Sequence, residues 1–184
     1  MRSLWLSLVL ILACMVKQLA WADSWIDDGD FTYYCDTGSM TAGLSEYRGK
    51  SAQVTIPSTV TLNGKTYTVT WVSGAGRNGY AGRDYIGFQP AAETLEGVVL
   101  PSTIKEIDGA TFTGCNRLKK VTARGEITAV GDEAFYGCSA LTDPGIDFKN
   151  LACIGNDAFR GCCSLTMDVE TSEKLYSDCP LNHQ

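Results

Sequence analysis

The chain is nearly without histidine. His183 is the one imidazole among 184 residues. It stands next to last, where a frayed tail is expected rather than a catalytic base. Positive charge is scarce too: 15 Lys and Arg against 21 Asp and Glu leave a formal net charge of -6. Nucleic-acid binding needs a basic footprint, so none is expected. Lys119, Lys120 and Arg124 form the one basic cluster, which reads as a solvated face. There is no Asn-x-Ser/Thr sequon, so nothing calls for N-glycosylation. Past the N-terminus no apolar run approaches ~18 residues, so no membrane span is expected.

Catalytic and cofactor signatures are equally thin. "GAGRNG" (74–79) has the spacing of a dinucleotide-binding turn, but "YAGRDYIG" follows it with no helical period. Pyrophosphate needs amides at the start of a helix, so the stretch reads as a Gly-rich surface loop. The carboxylate pairs Asp27-Asp28 and Asp132-Glu133 do not define a cleft. No cofactor, no metal and no enzymatic activity are expected.

What is present starts with a targeting segment. Arg2 precedes an apolar run from Leu4 to Val16 that is 13 residues long. A bilayer span needs ~20. "LAWA" then supplies a small-residue cleavage site, so a signal peptide over 1–22 is expected, with cleavage after Ala22. An alternative is lipoprotein processing with a lipid anchor at Cys14 in "ILAC". Either route exports the protein to the cell surface or the medium.

The main signal is a repeat. "ATFTGCNRL" (110–118), "DEAFYGCSAL" (132–141) and "DAFRGCCSL" (157–165) share one frame. Phe112, Phe135 and Phe159 are 23 and 24 residues apart, and Cys115, Cys138 and Cys162 keep the same offsets. Leu118, Leu141 and Leu165 do as well, and Ile107, Val130 and Ile154 open the units. Units of this length stack, because none can bury its apolar face alone. In Val121 to Leu141, "KVTA" reads as a strand, Val130-Gly131 as a turn and "DEAFYGC" as about two helical turns, with its acidic pair at the helix start. Gly137 fits a tight reversal.

The repeat cysteines read as a buried ladder. Successive rungs lie ~4.8 Å apart, whereas structural zinc needs four ligands around one point at ~2.3 Å. Cys163 and Cys179 are the candidate disulfide, with Cys153 an alternative partner of either. Upstream, Leu95 stays in register, Phe88 sits one place out, and Ala91-Ala92 replace Gly-Cys. "VTLNGKTYTVTWV" reads as a hairpin turning at Asn63-Gly64. The expected organisation is a β-rich N-terminal cap over 23–72, repeats over 73–170 with the first degenerate, and a tail over 171–184.

"VGDEAFYGCSALT", "IGNDAFRGCCSLT" and "IPSTVTLNGKTYTVT" resemble the BspA-like, or Treponema pallidum-type, leucine-rich-repeat family over roughly residues 30–170. The resemblance implies a leucine-rich-repeat solenoid of short parallel strands and short helical arcs, carried on exported or surface proteins of host-associated bacteria and some parasitic protists. It also implies adhesion to host proteins or other cells. Family units place Ile or Val where this chain has Pro144 and Asp168.

The expected function is therefore a non-catalytic interaction module for an extracellular or host surface protein. Its expected binding surface is the strand face turned away from the core: Glu96, Gly97, Val99, Lys119, Lys120, Thr122, Thr142, Asp143, Thr166 and Met167. The loop carrying Arg77, Asn78, Tyr80, Arg83 and Tyr85 is the second candidate. The alternatives are a structural accessory module with no ligand of its own and an extracellular glycan-binding component. The strand face shows no aromatic stripe, and Trp71 and Tyr85 lie elsewhere, which counts against a glycan on that face.

Overall fold

A computed structural model describes residues 24–74 and 87–166. The candidate loop 77–85, the N-terminal targeting segment, Met167 and Cys179 lie outside the described residues.

The first half is mostly antiparallel, with one parallel pairing between its third and sixth strands. β1 (Ser24–Asp28), β2 (Phe31–Asp36) and β3 (Thr41–Tyr47) form a meander. After the short β4 (Gln53–Thr55), strands β5 (Thr59–Leu62) and β6 (Lys65–Val72) form the expected hairpin, with Leu62 opposite Lys65. Asn63 and Gly64 both adopt positive φ, 50° and 75°. A two-residue turn of this hand matches the twist of its flanking strands, and only Asn-Gly-type pairs take it cheaply.

The second half coils. β7 (Gly97–Leu100) and β9 (Lys120–Ala123) lie parallel to β4 in one three-stranded sheet. β8 (Glu106–Ile107), β10 (Ala129–Val130) and β11 (Cys153–Ile154) form a second parallel ladder. That ladder continues through β6 into the antiparallel meander, in the order β1-β2-β3-β6-β8-β10-β11. The turns through β7 and β9 thus contribute one strand to each sheet and close with an arc.

These arcs differ from the sequence expectation. Among the described residues there is no α-helix. Over "DEAFYGC" the chain makes successive tight turns, with Glu133 at φ 55° and Gly137 at φ 74°. Left-handed residues at both places break any helical run. Alternate amides that a helix would bond internally serve the neighbouring turn instead. Phe112 N–H donates to Ala134 C=O and Phe135 N–H to Ala158 C=O, both at 2.8 Å. The expected capping role of Asp132 is likewise replaced: its Oδ1 accepts the Asn156 N–H of the next turn at 2.6 Å. Val130-Gly131 is not a free turn either. Val130 is a strand residue paired with Ile107 and Ile154. Gly131 is required because a Cβ there would meet the Gly109 nitrogen at 2.5 Å.

Columns of side chains fill the interior. Phe88, Phe112, Phe135 and Phe159 stack at centroid distances of 4.9, 5.2 and 5.0 Å. Tyr47 and Phe31 extend the stack at 5.5 and 5.0 Å. Offset aromatic contacts of this kind add about 0.5–1.5 kcal/mol each beyond simple burial. Phe88 therefore stands in the spine despite its sequence offset, and Ala91, three residues on, takes the cysteine slot. The second column, Leu44, Val72, Ile107, Val130 and Ile154, is buried throughout and fuses the two halves into one core. Leu95, Leu118 and Leu141 form the third, all fully buried.

The cysteine ladder is as expected for Cys115, Cys138 and Cys162, which are buried free thiols. Each donates to a carbonyl one turn back: Cys115 to Phe88 at 3.7 Å, Cys138 to Phe112 at 3.1 Å and Cys162 to Phe135 at 3.2 Å. Burial raises all three thiols, Cys162 to about 11 and Cys115 to about 12. The disulfide expectation needs correction. Cys163 carries a free, exposed thiol on the outer side of the last arc, with its Sγ 3.5 Å from the Gly161 carbonyl. The described cysteine that is disulfide-bonded is Cys153, in β11.

Candidate functional site

Alternation along β4, β7 and β9 sorts their side chains. Val54, Val98 and Val121 point into the core and are buried. Gln53 and Thr55, Val99, and Lys120 and Thr122 point the other way and are exposed or half-buried. The register places Gln53, Gly97 and Lys120 side by side, and likewise Thr55, Val99 and Thr122. Just before the strands, Glu96 and Lys119 repeat the pattern.

Gln53, Glu96, Gly97, Val98, Val99, Lys119, Lys120 and Thr122 together line a shallow depression of about 270 Å³. Its floor is Gly97. A Cβ at that position would meet Gln53 Oε1 at 2.2 Å, so the missing side chain is what lets Gln53 lie across the sheet. The structure thus brings Glu96, Gly97, Val99, Lys119, Lys120 and Thr122 together, as the sequence frame anticipated. Gln53 is a lining residue that the repeat pattern missed, because it belongs to a strand outside the repeats.

The charges on this face are paired. Lys119 Nζ lies 2.9 Å from Glu96, Arg117 lies 3.3 Å from the other Glu96 oxygen, and Lys120 Nζ lies 2.9 Å from Asp143. The lysine and arginine donors hold the Glu96 carboxyl below its ordinary range, and Lys120 does the same for Asp143. Each pair links one turn to another, so Lys119 and Lys120 of the basic cluster, together with Arg117, form half of a cross-turn ion-pair ladder. Exposed pairs like these contribute little to stability, and their geometry is what matters at a surface.

Beyond β9 the sheet stops at an isolated bridge between Lys120 and Asp143. The next residue is Pro144, buried in the slot that Val98 and Val121 fill in earlier turns. Proline has no N–H to offer a ladder, so a further strand cannot form there. Thr142 stays on the face through its N–H bond to the Lys119 carbonyl at 2.9 Å. Thr166 is exposed at the last described turn.

Among the described residues, no group of three or more His, Cys, Asp or Glu could hold a metal ion. No described helix is long and apolar enough to cross a membrane.

The geometry defines a β-solenoid: parallel ladders, arcs and a spine of phenylalanines repeated at each turn. Residues 88–178 match the family described as "BspA type Leucine rich repeat region (6 copies)", and this chain belongs to that leucine-rich-repeat family over those residues. No curated protein matches the chain. Among solved structures it is similar to a leucine rich cell surface protein from Faecalibacterium prausnitzii A2-165, at 27% identity and TM-score 0.62, covering 78% of this chain and 36% of that one. A leucine-rich repeat protein from Bacteroides ovatus matches at 26% identity and TM-score 0.56, over 74% of this chain and 33% of that one. One from Bacteroides capillosus shares the fold at 23% identity and TM-score 0.60, over 78% of this chain and 96% of that one. The chain therefore spans about a third of the length of two of these structures.

Proposed function

We propose that this protein is a non-catalytic, surface-exposed or secreted module that binds an extracellular protein through the outward face of β4, β7 and β9. The observation that carries this reading is the Gly97-floored depression, rimmed by ion pairs that tie successive turns together. Such a surface offers fixed donors and acceptors at a regular spacing, which favours electrostatic complementarity over deep insertion. Export follows from the targeting segment. Surface location is supported by the Faecalibacterium relative, described as a cell surface protein.

The test is capture of a protein ligand from host extracellular extracts on the immobilised chain, followed by affinity measurement with Lys119→Glu/Lys120→Glu. We expect at least a tenfold loss of affinity, since charge mismatch at an interface costs several kcal/mol. The melting temperature should change little, because both side chains are about 60% exposed. Unchanged binding in the double variant, with loss on replacing residues 77–85, would move the site to the loop and overturn the assignment.

A further inference from the structure

The antiparallel half carries a feature that the repeats lack. Register aligns Trp25 with Tyr34 across β1 and β2, Tyr34 with Gly43 across β2 and β3, and Gly43 with Trp71 across β3 and β6. Three aromatic side chains thus lie in one row across four strands. Trp25 and Tyr34 meet edge to face at 5.2 Å, and Tyr34 and Trp71 lie 6.5 Å apart. Gly43 is what lets Trp71 lie down on the sheet beside Tyr34. A Cβ there would fall 1.8 Å from the Trp71 ring, so the indole rests on the bare backbone of β3. The row is on the outer side of the sheet: its neighbours Tyr33 and Cys35 point inward and are fully buried, while Trp25, Tyr34 and Trp71 remain half-exposed.

Beside the rings, on the same face, lies a polar cluster. Thr32 donates to Asp27 Oδ1 at 2.8 Å, and Arg48 donates to Thr32 Oγ1 at 2.8 Å. Arg48 also bridges Asp27 at 3.2 Å and Glu46 at 3.1 Å. The Asp27 hydrogen bond is the main reason the guanidinium is held more firmly protonated than usual. Asp27 sits two residues from Trp25 and one register step along the same strand pair, so the polar groups border the rings directly.

We infer that this face binds a neutral oligosaccharide. A sugar ring presents an apolar C–H face and a rim of hydroxyls, and the sheet offers the complement of both. Rigid amphipathic rings give contact area at low entropic cost. Arg48, Asp27 and Glu46 supply paired donors and acceptors for hydroxyls. One guanidinium against two carboxylates leaves the cluster negative, and the whole chain is acidic at -6, which disfavours an anionic glycan. A row of partly buried rings along the outer side of a sheet also differs from the central, enclosed anchors of protein interfaces. This surface is separate from the β4-β7-β9 face, so the glycan and protein readings stand or fall independently.

The probe is a panel of soluble neutral hexasaccharides, of cello-, xylo-, manno- and chito- type, titrated against the full chain by tryptophan fluorescence and calorimetry. We expect saturable binding of at least one, with a shift in tryptophan emission. Trp25→Ala and Trp71→Ala should each weaken it at least tenfold, and Lys119→Glu/Lys120→Glu should leave it unchanged. Trp25 lies on an edge strand, so its variant keeps the test decisive if Trp71→Ala fails to fold. The inference is overturned if no hexasaccharide binds, if binding survives Trp25→Ala, or if Trp25→Ala instead abolishes capture of a protein ligand while no sugar binds.

Discussion

The two halves of the molecule bury side chains of similar chemistry by different rules. In the repeat turns every core position is a column of near-identical residues, and each rung's register is set by its neighbour. In the N-terminal half each core position is filled by a different residue, and local turns set the antiparallel register, while the parallel β3–β6 pairing joins the two antiparallel units. The repeats can therefore be read from spacing alone, but each rung leans on the next. The β1–β3 and β5–β6 units are held by adjacent strands in the chain, and they offer the solenoid an edge it can stack on. Where the two meet, Tyr47 joins the phenylalanine spine and Val72 joins the aliphatic column, so no seam separates them.

Truncating the spine should give the largest contrast. Phe135 is fully buried between Phe112 and Phe159. Phe135→Ala should cost about 3–5 kcal/mol in denaturant unfolding. Phe31, half-buried at the far end of the same stack, should cost less than half as much. Equal losses would mean that the stack is uniform from end to end and that the halves do not differ.

Glycine substitutions sharpen the same comparison at lower cost. A Cβ at Gly155 would meet the Asp132 nitrogen at 2.3 Å in the neighbouring turn, whereas one at Gly64 meets nothing. Gly155→Ala should lose about 1–3 kcal/mol or more through overpacking against fixed backbone. Gly64→Ala should lose only the left-handed penalty, about 1 kcal/mol. Thermal melts of both variants would show whether stacking or local turn chemistry is the tighter constraint.

Thiol chemistry separates the interior of the ladder from its rim. At pH 8, a disulfide reagent should label Cys163 quickly and leave Cys115 and Cys138 unlabelled until the chain unfolds. Their folded pKa values are raised by burial, Cys115 from 9.0 to about 12. The unfolded state therefore releases thiol protons first as pH rises. Stability should be insensitive to these groups below pH 9 and should decline above it, up to the folded value. Rapid native labelling of Cys138 would show that the arcs open readily.

The smallest effect should come from left-handed positions. Ala110, Glu133 and Asp157 sit at φ 53°, 55° and 54°, one per turn at the same place in the arc. Glu133→Gly should be neutral or stabilise by up to ~1 kcal/mol, as relief of strain offsets the added chain entropy. A loss above that would show that the Glu133 side chain carries more than it appears to from its exposed position.

Much of the core was legible in the sequence. Phe112, Phe135 and Phe159, their cysteines and leucines, and Ile107, Val130 and Ile154 all stand where a fixed register demands. Asn63-Gly64 announced its hairpin because that turn is a local matter. Six of the lining residues of the β4-β7-β9 face were also legible, since alternation in a strand is local too. Gln53 was not, because its strand precedes the repeats and joins them only through parallel pairing.

The sequence by itself determined the repeat frame, the columns of the core and the tight turns, since each depends on side-chain size or φ within a few residues. Tertiary structure alone decided what the arcs are. "DEAFYGC" has the composition of a helix start, but alternate amides, those of Glu133, Phe135 and Gly137, find partners one turn of the coil away, 23 residues along the chain. No local window sees those partners. The same holds for Phe88 entering the spine, for Gly43 receiving Trp71 and for Lys119 meeting Glu96. Each is a contact between segments distant in sequence, made only when the coil closes.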